Sequence, residues 1–173
     1  MEDKLELRMY GLINYQLSGT IHAGIQYGHA VVEYGLKFFD TPEYQDWANN
    51  HKTFIILNGG TTNNNQLCYG TLNQYKETLI NNGITIADFH EPDLGDQLTA
   101  VVFIVDEKVF DLKKYPDFSI YVTRFDEYPI VDYPRGEFEL RMVYPDRYNQ
   151  WLEFIGGGKN LFLREFLKGK KLA

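Results

Sequence analysis

This sequence predicts an α/β domain on a mixed four-stranded sheet flanked by helices, with a C-terminal α+β extension. Three observations predict it. Short apolar runs alternate with amphipathic stretches in the order β-α-(α)-β-α-β-β up to about residue 109. Turn residues fall between those segments. Past residue 109 the alternation weakens, which sets the expected domains at 1–109 and 110–173.

Leu5–Tyr15 (LELRMYGLINY), rich in Leu, Ile and Tyr, predicts the first strand. Leu17-Ser18-Gly19 reads as a turn, with Ser18 or Thr20 placed to cap the next helix. In that helix, 20–34 (TIHAGIQYGHAVVEY), Ile21, Ile25, Gly28 and Val32 share one side. His22, Gln26 and His29 sit at i, i+4 and i+7 and share another. Thr41-Pro42 opens a second helix over about 42–50. Thr53–Leu57 (TFIIL) is a continuous apolar run expected to be a buried strand, followed by the polar loop Asn58–Gln66 (NGGTTNNNQ). Thr71–Asn82 is amphipathic, with Leu72, Tyr75 and Leu79 on one face, and stops at Asn82-Gly83. Ile84–Phe89 and Leu98–Val105 are the third and fourth strands. In the extension, 118–125 (FSIYVTRF) and 137–144 (EFELRMVY) are expected to pair as strands, with Pro129 and Pro134 between them. Tyr148–Ile155 and Asn160–Leu167 read as helices broken by Gly156-Gly157-Gly158.

A chain of 173 residues, 44% apolar, can bury a real core, and 13 Tyr with 12 Phe argue against disorder. Cys68 is the only cysteine, so no internal disulfide forms and a reducing, cytoplasmic compartment is expected. The opening MEDKLELRMY is acidic and lacks an apolar core, so no signal peptide is expected. No apolar run approaches about 18 residues, so no membrane span is expected. Net charge is −7, which works against a nonspecific nucleic-acid binder. That charge is uneven. Residues 1–109 carry 6 basic and 14 acidic residues, a net −8, and residues 110–173 carry 11 and 10, a net +1. The stretch 156–173 holds Lys159, Arg164, Lys168, Lys170 and Lys171 against Glu165, so an anion bound through charge would meet this tail. An ordinary solvated tail is the plainer reading.

Three features lie at strand ends or on the first helix: His22/Gln26/His29, the loop 59–65, and Phe89-His90-Glu91-Pro92-Asp93. A carboxylate beside imidazoles can orient a histidine or deprotonate water. With Gln26 and helix N-terminal N–H groups facing a developing oxyanion, the set suits hydrolysis of an activated ester. Each residue also has a plain reading: His22 at the surface, His29 hydrogen-bonded in the core, Glu91 and Asp93 rimming a turn. His22 and His29 are seven apart with no cysteine nearby, so no metal is expected. The 58–65 loop lacks the lysine and spacing of a nucleotide P-loop, and no cofactor is expected.

GIQYGHAVVEY after a first strand, TFIIL, and then ITIADFHEPDLGDQLTAVVF resemble the archaeal/eukaryotic-type (type two) peptidyl-tRNA hydrolase family, in its divergent bacterial and viral branch. The resemblance covers roughly residues 7–107. It implies an α/β fold with a mixed four-stranded sheet, often a homodimer, and metal-independent hydrolysis of the ester joining a peptide to the 3′ end of tRNA. Of the family's Lys-x-x-x-Gln-x-Ser-His pattern, Gln26 and His29 match. His22 stands at the lysine, Gly28 at the serine, and Glu91 at the aspartate after the third strand, while Thr99 sits where the family has a threonine opening the fourth strand. Lysine stays charged at neutral pH where histidine is mostly neutral, and glutamate carries its charge one methylene further.

The implied catalytic set is His22, Gln26, His29 and Glu91. Substrate contacts are expected from Thr99, Asp93 and His90, with Lys168, Lys170 and Lys171 supplying phosphate contacts. The competing reading is a binding protein on the same fold with its chemistry lost, recognising RNA, a nucleotide or a partner protein through 110–173.

Overall fold

β1 (Leu7–Asn14), β2 (Thr53–Gly60), β3 (Ala87–Glu91) and β4 (Gln97–Asp106) form one sheet in the order β2-β1-β4-β3. β1 runs parallel to β2, and β4 runs antiparallel to both β1 and β3. This is the mixed four-stranded sheet the sequence predicts. It follows that the carboxyl ends of β1, β2 and β3 meet at one rim, beside the amino end of β4. These features come from a computed structural model that describes residues 4–17, 19–125 and 136–173.

The chain divides into two compact units, Met1–Glu107 with Leu167–Ala173, and Lys108–Phe166. In the first unit, α1 (Thr20–Phe38) lies against the sheet through Ala23, Tyr27, Ala30 and Tyr34. These meet Met9, Ile13, Ala100, Val102 and Ile104 in one buried cluster. Alternation puts Tyr10, Leu12, Val101 and Phe103 on the other face, all buried. The side of α1 read as apolar from the sequence faces outward instead: Ile21 is 74% exposed and Val32 61%, with Ile25 exposed as well. Small residues on the sheet-facing side let the helix come close, and the absence of a side chain at Gly11 leaves room for a ring. Tyr27 fills that space over Gly11 and donates its hydroxyl to the Met9 carbonyl at 2.7 Å.

The N-cap of α1 is Gly19, with no side-chain cap, and Thr20 is the first helical residue, not the expected cap position; Ser18 lies outside the described residues. The second helix covers the expected stretch in two geometries. α2 (Pro42–Asp46), capped by the Thr41 hydroxyl, widens into a π-helical turn over Trp47–His51. α3 (Thr71–Asn81) ends as predicted, but the Ile84 N–H returns to the Leu79 carbonyl at 3.0 Å, so Ile84 closes the helix and β3 begins later, at Ala87.

After a single helical turn, α4 (Glu107–Phe110), the second unit is helical throughout its described residues: α5 (Phe118–Phe125), α6 (Glu137–Val143), α7 (Pro145–Phe154) and α8 (Gly158–Leu167). The expected strand pair at 118–125 and 137–144 is therefore corrected. Phe118 and Val122 are one helical turn apart and bury together with Leu140, Trp151 and Ile155. A strand would have placed both on one face too, but with Ile120 between them, and Ile120 is exposed. Pro129 and Pro134 lie outside the described residues. Arg164, read as part of a basic tail, is buried in this unit. Its Nε donates to the Lys108 carbonyl at 3.0 Å and Nη2 to the Tyr115 carbonyl at 2.6 Å.

Residues 167–173 pack with the first unit, which takes them out of the single extension expected over 110–173. Asn58 N–H donates to the Lys171 carbonyl at 2.9 Å and Ala173 N–H to the Ile56 carbonyl at 3.0 Å, with Leu57 opposite Leu172 in antiparallel pairing. This tail covers the outer edge of β2, which would otherwise present unpaired backbone groups.

Candidate active site

The rim at the carboxyl ends of β1, β2 and β3 holds a three-residue hydrogen-bond chain. Gln26 lies on the buried face of α1, one helical step from Ala23 and Ala30, and is 7% exposed. Its Nε2 donates to Glu91 Oε2 at 2.7 Å, and its Oε1 accepts from the Thr99 hydroxyl at 2.6 Å. Chemistry fixes the polarity of this chain. A carboxylate can only accept, so the amide nitrogen must face Glu91. The amide oxygen then faces Thr99, which must donate.

Thr99 reaches this position through a β-bulge. Pairing steps from Phe89 opposite Ala100 to His90 opposite Leu98, leaving Thr99 out of the ladder. Ala100, Val102 and Ile104 face α1, so strict alternation would send Thr99 to the opposite face. The bulge re-aims it toward α1, where it is fully buried and also lies 3.2 Å from the Phe89 carbonyl. Glu91 ends β3 and starts the turn Pro92–Leu94. Asp96 N–H closes that turn on the Glu91 carbonyl at 3.1 Å, so the backbone carrying the carboxylate is held.

The other sequence-predicted residues are placed less uniformly. His22 is exposed one turn before Gln26 on the same helix side, with no hydrogen bond among the described residues. His29 stacks on Phe89, ring centroids 4.5 Å apart, and so packs against β3 without joining the Gln26 chain. Asp93 is exposed in the turn. His90 belongs to another group: Nδ1 is 3.0 Å from the Asp96 carbonyl and Nε2 is 3.2 Å from Asp88 Oδ2. The loop after β2 satisfies itself, with the Asn73 side chain accepting from Asn63 N–H at 3.0 Å and the Thr71 hydroxyl from Thr61 N–H at 2.8 Å.

Asp88 was not singled out by the sequence, and nothing in a lone charge within a strand marks it. It gathers Lys76 (through a hydrogen-bonded ion pair), Lys37 at 3.6 Å and His90. Burial pushes its carboxyl up, but the Lys76 bond and charge, with His90 and Lys37, outweigh this and hold it below the usual carboxylate range. A depressed acid stabilises the fold above its unfolded pKa, and that contribution disappears as pH falls through the native value. Asp88→Asn should therefore cost about 1–2 kcal/mol at neutral pH, and the cost should shrink as pH falls below the ordinary carboxylate range and through the depressed native value. Urea unfolding across that range checks the convergence of the two curves.

Among the described residues no group of three or more His, Cys, Asp or Glu is arranged to hold a metal ion, and no helix is long and apolar enough to cross a membrane. No protein-family model matches this chain, and no curated protein matches it.

Proposed function

We propose that this chain hydrolyses the ester bond between a peptide, or an N-blocked amino acid, and the 3′ end of tRNA, without a metal. One observation supports this above the rest. Gln26, Glu91 and Thr99 join in a single hydrogen-bond chain at the sheet rim, although they are 65 and 73 residues apart in sequence. These are three of the positions that the resemblance to type two peptidyl-tRNA hydrolases picks out.

The chemistry follows from what each group has left to give. Glu91 commits Oε2 to Gln26, and its other oxygen has no protein partner among the described residues. That oxygen can take a proton from water as the water attacks the ester carbonyl. The Gln26 amide has two N–H donors, and the Glu91 bond uses one. The second can donate to the oxyanion that forms as the carbonyl becomes tetrahedral. Collapse breaks the bond to the ribose 3′ oxygen, which recovers the proton held by Glu91 and leaves as the tRNA hydroxyl. His22, exposed one turn earlier on α1, is open to contact with a bound tRNA. Thr99 is a positioning residue: it orients the Gln26 amide and touches no substrate.

The test is release of free tRNA from an N-blocked aminoacyl-tRNA by purified protein, lost on Glu91→Ala and reduced on His22→Ala. Thr99 gives a second handle. Thr99→Val keeps the shape but leaves Gln26 Oε1 buried without a donor, at a cost of about 1–3 kcal/mol. Thr99→Ser should restore both stability and turnover, read by urea unfolding and by the same hydrolysis assay.

A second reading is favoured by the same chain of bonds. Because Thr99 and Gln26 are buried, the network also locks α1 to β3 and β4, and a protein that only binds RNA would keep it for that reason. Wild-type protein that binds tRNA but releases none from the ester would select this reading.

A further inference from the structure

A hollow of about 290 Å³ lies beside the covered edge of β2, lined by Asn58, Tyr75, Lys168, Gly169, Lys170 and Lys171. Its lining holds three lysines and no carboxylate, in a unit whose other charged residues are mostly acidic. The lysines are not carried on a loose end. Pairing of the tail with β2 through Asn58, Lys171, Ile56 and Ala173 fixes their backbone. Gly169 turns the chain at φ 76°, a left-handed conformation that a side chain would strain, and Lys170 N–H closes that turn on the Leu167 carbonyl at 3.1 Å. The Lys170 ammonium sits over the Tyr75 ring, 3.6 Å from its centroid, so this cation is oriented by α3.

We infer that this hollow binds phosphodiester groups of a single-stranded RNA end, placing a phosphate between Lys168, Lys170 and Lys171. The inference rests on the esterase reading for the identity of that RNA, and on the tail's own geometry for the site. Antiparallel pairing runs the tail so that Lys170 and Lys168 lie beyond Asn58, toward the carboxyl end of β2. That is the rim where Glu91 ends β3. From the tail to β3 there are four inter-strand steps, about 19 Å, within reach of a few extended nucleotides. A strand whose 3′ end lies at Glu91 can therefore reach the lysines with its phosphates. Of the five basic residues in 156–173, Arg164 is excluded because it is buried against carbonyls, and Lys159 does not line the hollow.

The test uses the full chain and a fluorescein-labelled single-stranded RNA tetranucleotide, titrated at several salt concentrations, with inorganic phosphate as competitor. Lys168→Gln/Lys171→Gln should weaken binding about tenfold at low salt and flatten the log–log salt slope by about 1.4, near 0.7 per lost contact. Lys113→Gln/Lys159→Gln removes the same charge elsewhere and should leave binding unchanged. Gly169→Ala keeps every charge but strains the turn, and should weaken binding as well. Equal losses in both double variants, or none in the first, overturn the site. Inorganic phosphate binding as tightly as the tetranucleotide overturns its assignment to RNA. Binding requires no turnover, so the two readings fail separately. Lysine-dependent RNA binding without tRNA release sinks the esterase alone, and tRNA release with no lysine dependence sinks this site alone.

Discussion

Glu91→Gln should lower kcat/KM for release of tRNA from an N-blocked aminoacyl-tRNA by about 10²–10⁴-fold, the usual contribution of a positioned general base. The substitution is nearly isosteric, and the new amide oxygen can still accept from Gln26 Nε2, so the local fold should survive. What it removes is the basicity of the oxygen that Gln26 leaves unengaged. Glu91→Asp is the sharper companion. It restores the residue type of the resembled family but withdraws the carboxylate by one methylene, out of reach of a 2.7 Å bond to Gln26 unless β3 shifts. An intermediate loss is expected, carried by kcat more than KM. Unchanged turnover in Glu91→Gln would remove the base from the mechanism and leave Gln26, Glu91 and Thr99 as a structural lock.

Gly11→Ala should destabilise the first unit by about 2–4 kcal/mol, large for the addition of one methyl group. A Cβ at Gly11 would fall inside the buried Tyr27 ring and press on Val102. The ring cannot swing aside cheaply, because its hydroxyl is anchored on the Met9 carbonyl. Overpacking of this kind costs about 1–3 kcal/mol, and loss of the hydroxyl bond about 1 more. Burial also drives the Tyr27 hydroxyl pKa strongly upward, so it stays a proton donor across any working pH. Urea unfolding of the double variant Gly11→Ala/Tyr27→Leu gives the check. If ring and methyl group compete for one space, the double variant loses less than the sum of the two single variants.

The first unit was legible in the sequence because its core obeys local periodicity. LTAVVFIV is a buried apolar run of strand length, and Leu72 with Leu79 mark one helical face. TFIIL, read as a buried strand, instead forms an edge strand in which Leu57 is buried and Phe54 is 54% exposed. Helix α1 was legible from its start but runs one turn past the expected end, to Phe38, and its orientation was reversed. Its isoleucines looked like the core side, whereas the sheet below called for Ala23, Ala30 and a ring over Gly11, a demand that exists only once β1 is in place. The second unit was misread because Phe, Ile, Tyr and Val in 118–125 favour strands intrinsically, and packing of Phe118 and Val122 on Trp151 overrode that preference. At the site, the juxtaposition of Gln26 and Glu91 came from a resemblance in motif, which no periodicity supplies. The bulge that turns Thr99 inward depends on the register between β3 and β4, and register is a property of the pair. Asp88 was invisible for the same reason: its lysines come from α1 and α3.

The pairing of residues 171–173 with β2 bears on how the nascent chain acquires its structure. A ribosome makes β1 to β4 first and the whole of Lys108–Phe166 next, and only then the segment that closes the sheet. Throughout that interval the flank of β2 stands open, with the Asn58 amide and Ile56 carbonyl available to any neighbouring polypeptide. Closure joins segments more than a hundred positions apart, so it carries a larger loop-closure entropy than the pairings among β1 to β4. Variants that weaken this last step should show their defect as aggregation during expression before they show it in equilibrium unfolding.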